Sequence, residues 1–237
     1  MSQRQSKSEE AGSRENERRR TILRAAIDVF ARKGYHGCRI ADVAREAGVA
    51  YGLVYHYFKN KDELLETVVE TGWSGFVSRL RAVAEDESSS LEQKVHGIAE
   101  VAFEAYRVDP RAVKVLILEV ARSPAGTQVV SRQQAFLDTI RMSAEMFSRA
   151  QAAGELRADA DPMLCASLLF GAIEMGLTAF VSGLVEDRSP EALERAKVQI
   201  ANSFLHGVLP GATTSSEVSW KQEKASSGTR PKAGKRS

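Results

Sequence analysis

Residues 34–61 read GYHGCRIADVAREAGVAYGLVYHYFKNK. Two short helical patterns meet here at Ala47-Gly48-Val49. Gly48 permits the left-handed backbone of a sharp turn, and Val49 can plug the angle between the helices. Ile40, Val43, Ala44, Val49, Val54 and Phe58 are the apolar positions. They face a preceding helix whose stripe is Ile22, Leu23, Ala26, Ile27 and Phe30, and which Gly34 ends. Ala50, Tyr51, Gly52, Leu53, Tyr55 and His56 are left on or near an outward face. A short helix backed by a small core and showing a polar-aromatic face is the geometry that enters a DNA major groove.

The rest of the chain extends this helical pattern. Asn60 and Glu63 predict a capped helix carrying Leu65, Val69, Phe76, Leu80 and Val83. Ser90 and Gln93 predict another. Asp109-Pro110, Asp161-Pro162 and Ser189-Pro190 each place a capping side chain before a proline at the first helical position, and Ser123-Pro124 is a fourth such pair. No segment alternates as a strand does. The expectation is an all-α protein of about nine helices. It has an N-terminal three-helix helix-turn-helix unit at 15–61, a larger helical body at 62–210, and disordered tails at 1–14 and 211–237.

Charge divides the chain the same way. Residues 15–61 hold ten Lys/Arg and five Asp/Glu, whereas 62–210 hold 14 and 22. A basic head on an acidic body points to a nucleic-acid partner for the head. The two cysteines, Cys38 and Cys165, lack metal-site or CxxC spacing. Two free thiols in a reducing cytosol is the plain expectation, although one disulfide is open on sequence grounds. The first 20 residues have no apolar signal-peptide core, so a cytoplasmic location is expected. Residues 163–185 are long enough to reach across a bilayer. Glu174 sits mid-segment and no Lys/Arg cluster flanks it, which favours a buried helix over a membrane span.

The quoted stretch resembles the helix-turn-helix of the TetR (tetracycline repressor) family of bacterial transcription regulators. Gly34-Tyr35, Ile40, Val43-Ala44, Ala47-Gly48-Val49, Gly52, Tyr55, Tyr57-Phe58 and Lys61 carry the likeness, over about residues 17–65. Cys38, Arg39, Ala50 and Leu53 stand where the family usually has hydroxyl residues. Losing a hydroxyl cap costs about 1 kcal/mol and removes a phosphate hydrogen bond. Arg39 can replace that contact as a charge, and Leu53 can pack on a thymine methyl. The resemblance implies phosphate contacts from Arg39, Tyr55 and Lys61. It implies base contacts from Tyr51, Gly52, Leu53 and His56, with Ala50 also in the DNA-binding face. The run Arg18-Arg19-Arg20 is a solvated helix face or a further phosphate or minor-groove contact.

The family also dimerises through its last two long helices, so 163–185 and Leu193, Ala196, Ile200 and Phe204 are expected at a homodimer seam. Its body encloses a small-molecule effector, whose binding shifts the fourth helix. Trp73, Phe76, Phe103, Tyr106, Phe136, Phe170 and Glu174 are candidate pocket residues, although aromatic stripes at helical spacing also build ordinary cores. The segment Phe170-Gly-Ala-Ile-Glu-Met resembles that of fatty-acid-responsive members, which implies an acyl-CoA or similar amphipathic effector. A repressor binding a near-palindromic duplex operator is the expected function.

Two other classes compete. An enzyme is disfavoured because no GxSxG, P-loop, HExxH or dinucleotide fingerprint occurs, and His36, His56, His96 and His206 lack ligand spacing. No catalytic residue, metal or cofactor is expected. A helical module binding only a small molecule or a protein, without DNA, would lack the head's charge. The head's charge therefore predicts retention on heparin or nonspecific duplex with a steep salt dependence. Weak, salt-insensitive retention would favour the module without DNA.

Overall fold

The computed structural model describes the backbone of residues 2–120 and 129–210, and side chains over 12–117 and 134–210. Nine helices and no strand occur among the described residues. α1 (Ser2–Gly37), α2 (Ile40–Ala47) and α3 (Tyr51–Tyr57) form the head. α4 (Lys61–Glu85) leads from it into the body. The body adds α5 (Leu91–Val108), α6 (Pro110–Val120), α7 (Val129–Ala152), α8 (Pro162–Ser182) and α9 (Pro190–Val208). The expected helix start at Ser123-Pro124 and the 211–237 tail lie outside the described residues.

The caps follow the sequence closely. The Asn60 side chain accepts from the Glu63 N–H at 2.8 Å. Glu63 reaches one residue further back than a simple capping box requires, accepting from the Lys59 N–H at 2.6 Å. Ser90 and Gln93 satisfy each other's backbone N–H groups. Asp161 and Ser189 cap α8 and α9, and Asp109 accepts from two N–H groups at the start of α6. Between α4 and α5, Ser88 and Ser89 donate to Asp86 and hold its carboxyl at about 2. That stabilisation is present above the ordinary carboxylate range and fades as pH falls toward 2.

α1 differs from expectation at its start. Residues 2–14, expected to lack regular structure, continue the helix. The segment has no proline and one glycine, and is rich in Gln, Glu and Arg, so nothing in it breaks a helix. Gly12 to Arg20 are all exposed, in keeping with their lack of an apolar stripe. At the far end Gly34 takes φ 69°, the left-handed region, and breaks the helix where the sequence predicts.

Two cores result. The head core holds Ile22, Val29, Val43, Val54 and Phe58, each at most 2% exposed. It reaches past the expected division at 61/62, taking in Leu64, Leu65, Val68 and Val69 of α4. It also takes in Val115 of α6, while Val113 on the same helix belongs to the body core. An Arg111–Asp28 ion pair at 2.6 Å ties α6 to α1 beside this contact. The body core is built by α4, α5, α7, α8 and α9 around Leu80, Ile98, Phe147, Leu169 and Phe180. Cys38 lies in the head core and Cys165 in the body core, both free and buried, so no disulfide joins them.

α8 is the one helix among the described residues long and apolar enough to cross a membrane, with mean hydropathy 1.9. Ala166, Leu169, Ile173, Leu177 and Phe180 bury one side of it in the body. The other side leaves Leu164, Leu168 and Met175 exposed at 57%, 55% and 68%, an i, i+4, i+11 stripe. Expected seam residues on α9 are placed differently. Leu193 is buried in the body core, with Ala196, Ile200 and Phe204 against it. Phe204 stacks 5.6 Å from Phe147, and Ile200 fills the space over Gly176. A one-sided stripe on α9 meets α5 and α8 of its own chain first, so the open apolar face belongs to α8.

Removing the α4 cap by Asn60→Ala is expected to lower stability by about 1 kcal/mol in urea unfolding. An unchanged midpoint would mean the Lys59–Glu63 bond alone sets the helix start.

Candidate nucleic-acid interface

The head's outer face is fixed by what lies beneath it. Gly48 sits at φ 65° as the C-cap of α2, and the Val49 N–H donates to the Ala44 carbonyl at 3.0 Å. Val49 is half-buried against the head core, which sets the angle between α2 and α3. Val54 is fully buried and Phe58, just past α3, nearly so. With those two facing inward, Ala50, Tyr51, Gly52, Tyr55 and His56 are exposed. Leu53, expected to face bases, is half-buried at the edge of this face.

Tyr51 and Tyr55 form the centre of the surface. Their rings meet edge to face at 5.1 Å, and the Tyr51 hydroxyl donates to the Tyr55 oxygen at 3.2 Å. The pairing of the two phenols, in which a phenolate at Tyr55 would be disfavoured beside Tyr51, holds the Tyr55 phenol above its ordinary value. A Cβ added at Gly52 would meet nothing within 4 Å. The protein's own packing therefore does not require glycine there, and the open spot admits close approach by an outside partner. His56 lies beside Tyr57, with ring centroids 5.1 Å apart.

Arg39 is the N-cap residue of α2, and its exposed guanidinium has no partner among the described residues. It cannot cap by accepting, having only donors. Asp42 takes over half of that task, accepting from the Arg39 N–H at 3.1 Å and pairing with Lys33 at 2.8 Å. These contacts hold the Asp42 carboxyl below the usual range.

Lys61 is placed otherwise than expected. Its ammonium donates to the carbonyls of Tyr35 at 2.7 Å and Cys38 at 3.0 Å, and lies 4.1 Å from the Tyr35 ring centroid. It clamps the turn between α1 and α2 instead of projecting outward. Tyr35 completes this clamp by donating to Asp62. The clamp was not legible in the sequence, since a lysine ending a basic stretch gives no sign of which carbonyls it will meet. Arg19, from the basic run, stands 5.5 Å over the Phe58 ring, which puts the exposed end of α1 beside the end of α3. Burial pushes the Cys38 thiol up, against the pull of nearby Lys61, so it carries no thiolate reactivity.

The expected effector residues do not form one pocket. Trp73, Phe76 and Phe136 make an aromatic cluster, with Trp73 5.6 Å from Phe76 and 6.2 Å from Phe136. Phe103 and Tyr106 pack on Phe180 in the body core, and Phe170 is buried there too. Glu174, a candidate pocket residue, is exposed on the outer side of α8. A cleft of about 400 Å³ opens between α4 and α7, lined by Trp73, Val77, Arg81, Thr139 and Met142 among others. Its volume falls within the range of small-molecule sites. Trp73, Val77 and Arg81 share one helix face at i, i+4, i+8, a spacing that would have singled them out together. No cluster of metal-ligating side chains occurs among the described residues.

A basic helix-turn-helix head carried on a helical body is an arrangement suited to contact duplex DNA. Residues 22–68 match the family described as bacterial regulatory proteins, tetR family. The chain is 26% identical over 165 residues to the fatty acid metabolism regulator protein of Bacillus subtilis (strain 168), covering 68% of this chain and 81% of that one. Its fold is similar to that of the transcriptional regulator FadR from Bacillus subtilis in complex with stearoyl-CoA, with TM-score 0.66, 22% identity, and coverage of 82% and 98%. It is also similar to AibR in complex with isovaleryl coenzyme A and operator DNA, with TM-score 0.65, 19% identity, and coverage of 81% and 98%. The head thus matches the tetR family model, and over most of its length the chain is similar to proteins described as transcriptional regulators.

Arg39→Ala is expected to weaken binding to every duplex alike and to reduce the salt slope by about 1, as loss of one phosphate contact does. Lys61→Met is expected to lower head stability by about 1–3 kcal/mol in urea, because a charged donor leaves two carbonyls, with the salt slope unchanged. A lowered slope for Lys61→Met would return Lys61 to the phosphate contacts.

Proposed function

We propose that this protein is a cytoplasmic repressor that binds a near-palindromic operator as a homodimer and leaves it when a long-chain acyl-CoA binds. The observation that carries the reading is the exposed Tyr51–Gly52–Tyr55–His56 face, held rigid over Val54 and Phe58. In this reading Ala50, Tyr51, Gly52 and His56 meet base edges, with Leu53 at the margin against a thymine methyl. Arg39 and Tyr55 hold phosphates and fix register. The basic head favours DNA over a module that binds only small molecules or proteins. The Leu164–Leu168–Met175 stripe of α8 supplies the dimer contact, since a two-fold seam must bring one apolar patch against its own copy.

The acyl effector is supported by the relatives, one named for fatty acid metabolism and one held with stearoyl-CoA. α4 gives the effector a route to the head. Leu64, Leu65, Val68 and Val69 lie in the head core, whereas Leu80 and Ala84 lie in the body core. A ligand that moves the body end of α4 therefore moves the head, and changes the spacing of the two reading helices. Such couplings are worth about 1–3 kcal/mol, roughly 5–150-fold in affinity.

Selection of sites from random duplex tests this directly. An inverted repeat is expected, with half-site centres roughly 34–36 Å apart or somewhat more. Palmitoyl-CoA should release the selected site, and Leu168→Glu should yield a monomer with much weakened operator binding. A single asymmetric half-site bound by a monomer would refute the dimeric reading.

A further inference from the structure

One residue that lines the cleft between α4 and α7 carries an unexplained polar atom. Trp73 Nε1 is buried with no hydrogen-bond partner among the described residues. Buried donors are almost always paired, so an orphaned one marks an energetic cost that some other state relieves. The ring of Trp73 itself lines the cleft, against Val77 and Met142. Its other neighbours, Phe76 and Phe136, are hydrocarbon and offer no acceptor. Thr139, on the facing helix, donates its hydroxyl to the Ala135 carbonyl at 2.9 Å, and its oxygen does not accept from Trp73 Nε1.

We propose that the Trp73 indole N–H is the donor that recognises the acyl carbonyl of the effector, which enters between α4 and α7. This rests on the acyl-effector reading above. A lone neutral N–H surrounded by hydrocarbon pairs best with a neutral acceptor carried on an apolar chain. A carbonyl at the head of an alkyl chain fits, with the alkyl part against Val77 and Met142. Arg81, two turns further along the same face and paired with Glu85 at 3.3 Å, also lines the cleft and supplies a cation for the charged end of the ligand. Asp138, also lining the cleft, is held by Arg141 and Gln134 at 2.8 Å each, which offsets its charge there. Because Nε1 is now covered, the carbonyl reaches it only as the packing around Trp73 parts, and Trp73 sits on the helix that runs into the head core. Recognition and displacement of α4 are then one event.

The chain has two tryptophans, so Trp220→Phe leaves Trp73 as the sole fluorophore. In that full-length background, palmitoyl-CoA, palmitate and free coenzyme A are titrated by calorimetry and by tryptophan emission. Trp73→Phe removes the N–H together with the fused five-membered ring, so Trp73→His, which keeps an N–H donor on a ring of reduced size, is measured beside it to separate lost donor from lost volume; operator affinity reports that both fold. The expected result is a shift in Trp73 emission on binding the acyl ligands, and about fivefold weaker acyl binding by Trp73→Phe. Tighter binding of palmitoyl-CoA than of palmitate, which carries an ionised carboxylate in place of a neutral carbonyl, would support the contact; palmitate binding as tightly would overturn the neutral-carbonyl assignment. Acyl binding with silent Trp73 emission and an unaffected Trp73→Phe would overturn the assignment while leaving the effector class standing. Free coenzyme A binding as tightly as palmitoyl-CoA would overturn the carbonyl contact. No heat with either acyl ligand would overturn the effector class itself, and this inference with it.

Discussion

The burial of Val54 and Phe58 against α1 is the constraint on which the outer surface depends. α3 has seven residues, too few to be a stable helix in water by itself. Ala50, its N-cap residue, has no side-chain acceptor to help. The helix exists because fully burying a large apolar side chain gives about 1.5–3 kcal/mol, and two such side chains anchor its inner face. Once that face is fixed, so are the directions of Tyr51, Tyr55 and His56. The Lys61 clamp on the Tyr35 and Cys38 carbonyls then keeps α1 and α2 from opening like a hinge beneath them. Stability and recognition therefore share one small core, and a substitution inside it would be felt on the surface without any change of a surface residue.

Much of this was readable in advance because local rules were consistent. Helix starts at Asn60, Ser90, Asp161 and Ser189 follow from side chains that accept backbone N–H bonds within three residues, a short-range event. The turn at Gly48 follows from a backbone conformation that other residues seldom adopt. What was not readable depended on partners distant in sequence. Lys61 could have faced solvent or the 35–38 turn, and only the folded chain decides. Glu174 looked like a buried charge because its helix is apolar all round, yet one side of that helix is open. Leu193, Ile200 and Phe204 had the spacing for a seam between copies, but an apolar stripe cannot declare which neighbour covers it. The aromatic candidates for a pocket divided for the same reason, with Phe103, Tyr106 and Phe170 in the core and Trp73 at the cleft.

α4 and α6 deserve to be considered together, since both belong to two cores. α4 does so along its length, head at one end and body at the other. α6 does so around its circumference, with Val113 turned to the body and Val115, two residues on, to the head. Two such connections between the same pair of bodies restrict their relative motion to what both allow. A displacement at the α4–α7 cleft would therefore meet resistance at both connections on its way to the head.

The insertion of Val115 also bears on where this chain can be cut. A piece ending within α4 would carry every residue of the helix-turn-helix, yet its core would lack Val115, a buried member of it. Asp28 would lose its counter-ion at the same edge. The reading head is thus not a detachable module in the way its contiguous sequence suggests: a stranger's helix, borrowed from the sensing half some fifty residues downstream, closes it.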